Sequence, residues 1–205
     1  MPRTRSLSTL ADAAQSCRGC PLFEDTTQTV FGYGRRSAPL ILVGEQPGDV
    51  EDKRGRPFVG PAGAVLWQCL EAAGIEREMV YATNAVKHFK HETRGKRRLH
   101  KRPTTDEVEA CHPWLDAELD ALTGNVIVAL GATAARALLG RTVPVAASRG
   151  TTFSVAGRTT RVTYHPSAVL RADEQAEVVR AALIDDLRAA YRSAREARRT
   201  TVRAG

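Results

Sequence analysis

Pro39-Leu-Ile-Leu-Val-Gly-Glu-Gln-Pro-Gly48 decides how the rest of the chain is read. Residues 39–43 form an unbroken apolar run that stops at Gly44 and a polar turn. A continuous run, rather than an alternating one, marks a strand covered on both faces. Such strands belong to parallel sheets flanked by helices. The pattern recurs at Met79–Thr83 and Asn125–Leu130, and a fourth strand is expected over Arg161–Tyr164. Helices are expected between them. Pro61 opens one, with Val65, Leu66, Cys69 and Leu70 at helical spacing and Gly74 as its stop. Thr104 and Glu107 have capping-box spacing for a helix from about residue 105, which Pro113 is expected to kink or restart. Gly131-Ala-Thr opens another, to about Leu139. A short helix over residues 7–14 and a long one from about Glu174 complete the set. Residues 90–103 have no apolar period and read as a loop, and the stretch from about 194 reads as a flexible basic tail. With no repeat and no linker, the expectation is one α/β domain over residues 1–205. Its form would be a three-layer α/β/α sandwich with a short, mainly parallel central sheet.

The chain has 205 residues, 42% hydrophobic and 26% charged, the make-up of a soluble protein. No apolar stretch is long enough for a bilayer, and Met1–Ser16 lacks the apolar centre of a secretory signal. The expected location is the cytoplasm, where thiols stay reduced, with association to the nucleoid when bound to DNA. A net charge of +7 and a pI of about 9.6 favour a polyanionic partner, nucleic acid before a mere solubility charge.

Conspicuous polar residues follow the strands: Glu45 and Gln46, Asn84, and His165. Sites in open parallel sheets form at the carboxyl ends of strands, so these residues are expected to converge. Among the four cysteines, Cys17-Arg-Gly-Cys20 suits a zinc site, a redox dithiol or an iron–sulfur ligand pair. Cys69 shares a helical side with Leu66 and Ala73 and reads as a small core residue. Cys17, Cys20 and Cys111 remain, one short of a four-ligand set.

Four motifs resemble a known family when taken together and in order. They are Gly44-Glu-Gln-Pro-Gly48, Gly55-Arg-Pro-Phe-Val-Gly-Pro-Ala-Gly63, Thr83-Asn-Ala-Val-Lys-His88 and His165-Pro-Ser-Ala-Val-Leu-Arg171. They resemble the iron–sulfur uracil-DNA glycosylases known as family four, over nearly the whole chain from about Cys17. Three departures stand out. Gln46 occupies a position where ordinary members have Ala, and His88 one where they have Cys. An insert, Arg94-Gly-Lys-Arg-Arg-Leu-His-Lys-Arg-Pro103, is extra. All three are similar to the UdgX subgroup, whose members form a stable covalent adduct with uracil-containing DNA.

The resemblance implies a [4Fe–4S] cluster on Cys17, Cys20, His88 and Cys111, with imidazole in place of one thiolate and a structural role. It implies that Phe58 stacks on uracil and that Asn84 reads the base edge, one amide offering both donor and acceptor. Backbone groups at Gly44 would also hold the base. His165 would hydrogen-bond uracil O2 as charge develops there, and Glu45 would stand near the sugar. Gln46 and Asp49 resemble neighbouring polar residues of the catalytic loop. Leu170 and Arg171 would fill the gap left by the flipped base. Six of the eight residues from Lys96 to Pro103 are Lys, Arg or His. Of these, Lys96, Arg97, Arg98, Lys101 and Arg102 are expected on phosphates. His100 is the implied nucleophile for C1′, kept neutral by the cations round it. The implied partner is uracil-containing DNA, single- or double-stranded, met by a monomer. A turnover glycosylase that uses water, or a non-enzymatic iron–sulfur DNA-binding or redox protein, would also fit many of these residues.

Overall fold

The computed structural model describes residues 1–203, without the side chains of residues 198 and 200–203. In chain order the strands are β1 (Leu40–Gly44), β2 (Val80–Asn84), β3 (His91–Arg94), β4 (Arg97–His100), β5 (Val126–Leu130), β6 (Thr152–Val155) and β7 (Arg158–Thr163). The α-helices are α1 (Leu7–Ala14), α2 (Asp49–Arg54), α3 (Pro61–Ala72), α4 (Thr105–Ala121), α5 (Ala132–Leu139), α6 (Val145–Ser148), α7 (Ser167–Leu170) and α8 (Ala176–Arg203). Five strands make one sheet in the order β2-β1-β5-β7-β6, parallel except that β6 runs antiparallel to β7.

β1 and β5 are buried at every position, as their unbroken apolar runs require. Successive side chains point to opposite faces of a sheet, so each run feeds two cores. Ile41, Val43, Ile127 and Ala129 pack with Leu10, Val108, Leu115 and Ala134 from α1, α4 and α5. Leu40, Leu42, Val126 and Val128 pack with Leu66, Leu70, Leu183 and Leu187 from α3 and α8. Helices thus cover both faces of a mostly parallel sheet, the expected sandwich. Cys69 is buried in the second core, as read. No helix among the described residues is long and apolar enough to cross a membrane.

Four details differ from the sequence reading. Residues 90–103 are not a loop throughout: β3 and β4 form a hairpin about Gly95-Lys96, with Gly95 at φ +58. The hairpin is mostly exposed on both faces, so nothing imposes the alternation that betrays a strand. A second hairpin joins β6 to β7 through Ala156 and Gly157, both at positive φ, and it starts β7 earlier than expected. α4 runs on past Pro113 without restarting. Both halves of its capping box form, and Cys111, Trp114 and Leu115 are buried beside the proline, which outweighs one lost backbone bond. The helical span of α8 takes in residues 194–203 of the expected tail; residues 204 and 205 lie outside the described residues.

Candidate active site

The carboxyl ends of β1 and β2 lie side by side, Gly44 opposite Asn84. Gly44 is needed there. A Cβ on it would fall 2.3 Å from Asn84 Oδ1 and 2.7 Å from Phe58 Cζ. Its absence lets an amide and an aromatic ring meet over the strand end. Phe58 sits at φ +54, a left-handed conformation that costs a non-glycine residue of order 1 kcal/mol or more. Its neighbours over-determine it. The Trp67 indole N–H donates to the Phe58 carbonyl at 3.0 Å, and the Glu51 carboxylate accepts from the N–H groups of Val59 (3.0 Å) and Gly60 (2.7 Å). The Phe58 ring lies 6.4 Å from the His165 ring, tilted by 34°.

His165 follows β7, and its protonation pattern is set locally. The Ser167 N–H donates to Nδ1 at 3.2 Å, so Nδ1 holds a lone pair. The Ser167 hydroxyl is also 2.7 Å from Nδ1, and Arg171 donates to that hydroxyl oxygen at 2.9 Å. Burial, reinforced by Arg171 and His100 and opposed by Glu45, lowers the His165 pKa to about 4. The neutral ring therefore carries its proton on Nε2, as a hydrogen-bond donor.

The basic hairpin delivers His100 to the same place. Gln46, buried after β1, is the latch. Its Oε1 accepts the Lys90 N–H at 3.0 Å, which fixes the amide orientation. Its Nε2 then faces the Lys90 carbonyl (3.1 Å), the Lys101 carbonyl (3.0 Å) and His100 Nε2 (2.9 Å). The amide shares two N–H groups among these three acceptors; because its nitrogen cannot accept, the contact assigns His100 Nε2 as the ring's basic nitrogen. Partial burial lowers the pKa of His100, against the pull of Glu45. Glu45 Oε1 is 3.7 Å from His100 Nε2, and Glu45 Oε2 is 3.5 Å from Arg102 Nε and accepts the Thr133 hydroxyl. Thr133 escaped the sequence reading, which saw only a helix start. Phe89 was missed too: its buried ring stacks on His91 at 5.0 Å and lies 6.0 Å from the His100 ring.

Glu45, Gln46, His100 and His165 thus meet at the edge expected from strand order, next to Asn84 and Phe58. The same geometry invites comparison with known proteins. Residues 31–188 match the family model described as the uracil DNA glycosylase superfamily. The chain belongs to that superfamily. It is 37% identical over 171 residues to the type-4 uracil-DNA glycosylase of Thermotoga maritima, covering 82% of this chain and 85% of the relative. It is 37% identical to the type-4 uracil-DNA glycosylase of Archaeoglobus fulgidus (80% and 83% covered). It is 33% identical to the type-5 uracil-DNA glycosylase of Pyrobaculum aerophilum (75% and 74% covered).

Not every polar residue expected at this superfamily member's site faces it. Asp49 turns to the hairpin: hydrogen bonds first from Lys53 and then from Arg98 hold its carboxyl below the usual range. Arg98 is spent on Asp49 (2.6 Å) and Asp52 (2.7 Å), and Asp52 also accepts the Thr27 N–H. Lys101 pairs with Glu92. Lys96 and Arg97 make no ion pair among the described residues, and with Lys53, Asp49, Arg98 and Leu99 they line an open cavity of about 490 Å³. Leu170 is 53% exposed.

No three His, Cys, Asp or Glu side chains among the described residues are gathered to hold a metal ion. The donor chemistry nevertheless suits a cluster. Cys17 Sγ accepts the Trp114 indole N–H at 3.2 Å and Cys111 Sγ accepts the Lys87 N–H at 3.3 Å, as sulfurs round iron commonly do. Burial raises Cys111 to about 11, with Cys20 and Cys17 adding to the shift. Thr29 donates its hydroxyl to the Ala14 carbonyl, so at its 2.9 Å contact with His88 Nε2 the proton belongs to the ring. Burial lowers the pKa of that ring, and the neutral ring then has its lone pair on Nδ1.

Proposed function

We propose that this protein excises uracil from DNA and then captures the abasic sugar on His100. The observation that carries the reading is the position of His100, whose basic Nε2 lies 2.9 Å from the Gln46 amide and 3.7 Å from Glu45. The names of the relatives supply the base and the nucleic acid.

Uracil has to leave the base stack to be reached. Phe58 stacks on it, and the Asn84 amide pairs with O4 and N3–H. The bond from C1′ to N1 breaks with its electron pair going to uracil, and the His165 Nε2–H donates to O2 as negative charge grows. Electrostatic help of this kind acts mainly in the transition state. The Glu45 carboxylate faces the sugar while it is cationic. His100 Nε2 then donates its lone pair to C1′, forming a C–N bond, and the imidazolium passes its Nδ1 proton to water. The group that would have to leave is then an imidazolate anion, a poor leaving group, so the adduct persists. Leu170 and Arg171 fill the gap in the stack, and Lys96, Arg97, Lys101 and Arg102 meet phosphates. Arg98 and Asp49 hold the hairpin. A [4Fe–4S] cluster on Cys17, Cys20, Cys111 and His88 would supply a structural cross-link between the N-terminal segment, the chain after β2, and α4.

The test uses wild type and His100→Ser with a uracil oligonucleotide. Denaturing gels should show a slow protein–DNA band for wild type only, and both should release free uracil. A wild type without the band, or a Ser variant that keeps it, removes His100 from the chemistry.

A further inference from the structure

Behind Asn84 lies a polar cluster that the reaction does not touch. Lys87 and Glu118 are 1% and 0% exposed, and Nζ is 2.6 Å from Oε2. All three ammonium protons have acceptors: Glu118 Oε2, the Thr83 hydroxyl oxygen (2.8 Å) and the main-chain carbonyl of Asn84 (2.8 Å). Glu118 is equally well supplied. Its Oε2 also accepts the Thr83 hydroxyl (2.7 Å), and its Oε1 accepts the Tyr81 hydroxyl (2.6 Å) and the Gly32 N–H (2.8 Å). Apolar residues of similar size would often serve stability as well as a buried ion pair does, because desolvation offsets most of the attraction. Among the groups that the pair satisfies and apolar residues could not is one at the site itself, the carbonyl of Asn84.

We infer that Lys87 and Glu118 are positioning residues for uracil recognition: they clamp the backbone of Asn84. The inference rests on the reading of Asn84 as the group that pairs with the base. Asn84 ends β2, the outermost strand of the sheet, which pairs with β1 along its length and on its other edge is bridged by Tyr33 at Ala82, two residues short of Asn84. Lys87 grips its carbonyl from the layer of α4. Tilting that peptide would swing the amide, whose Oδ1 lies in the space that a Gly44 Cβ would fill, beside the Phe58 ring. A hydrogen-bonding edge displaced by even about 1 Å can cost of order 100-fold in rate.

The experiment is a double-mutant cycle on uracil release with enzyme in excess. Lys87→Met with Glu118→Leu removes both charges together, so neither is left orphaned. In the otherwise wild-type chain this pair should slow release about 10-fold; in an Asn84→Ala background it should add less than about 2-fold. Equal losses in both backgrounds overturn the clamp and leave the reading of Asn84 intact. An Asn84→Ala variant that releases uracil at the wild-type rate overturns that reading, and the clamp with it. If the pair variant fails to fold, Thr83→Val takes its place in the same cycle, with the same two results deciding.

Discussion

In the proposed reaction the single carboxamide of Asn84 both gives and accepts a hydrogen bond. Asn84→Asp keeps the size and loses the donor, because an ionised carboxylate only accepts. Uracil release should fall by about 10- to 100-fold, and selectivity against cytosine should relax, measured as free base from matched oligonucleotides. The two site histidines predict a split in pH dependence. His165 is lowered to about 4, and His100 is lowered from 6.5 by partial burial. A protonated His100 has no lone pair to give. Adduct formation should therefore stay level as pH is lowered to 6.5 and fall only beneath it, while uracil release continues toward about pH 5. Gel bands and free uracil, followed over the same pH series, check this. A common fall of both signals would contradict the assignment of separate roles.

On the scale of elements, the β3–β4 hairpin decides whether His100 is in place. Arg98 ties it to α2 through Asp49 and Asp52. Arg98→Ala should slow adduct formation by about 10-fold, since the nucleophile is no longer pre-positioned, and should slow uracil release far less. Quenched time courses of both products distinguish the two effects. Lys96 and Arg97 belong to the opposite function of the hairpin. Replacing both with Ala should weaken DNA binding and reduce the salt slope by about 2, one counterion for each lost phosphate contact. Binding titrations at several salt concentrations measure it. This element was the least legible part of the sequence. Its basic residues and His100 stood out, but an exposed hairpin has no buried face to impose a pattern. The division between Arg98, used inside the protein, and Lys96 and Arg97, open to a partner, depends on Asp49 and Asp52 arriving from a distant segment. No spacing in the chain announces that.

On the scale of the whole molecule, the opposite holds for the sheet. Leu40–Gly44 and Val126–Leu130 are buried on both sides, so their composition alone implies helices above and below. The convergence of Glu45, Asn84 and His165 followed from strand ends. The partners Thr133, Ser167, Phe89, Lys87 and Glu118 did not, because each is ordinary in its local context and matters only through a neighbour remote in sequence. Global stability should carry the mark of the site histidines. As pH falls, the unfolded chain protonates His165 near 6.5, whereas the folded one does so only near 4. Stability from this group is complete above 6.5 and is lost as pH falls toward 4, by at most about 3 kcal/mol. His100 shifts in the same direction and steepens the decline. Urea unfolding across that range should show the slope, and His165→Asn should flatten it. β3 and β4 pair with each other and with no strand of the main sheet. If release of the base and capture of the sugar divide as proposed, the hairpin is a cartridge clipped to a reusable tool. Trimming it to a plain turn should then leave uracil release whole and end the capture, so that one molecule moves on from lesion to lesion.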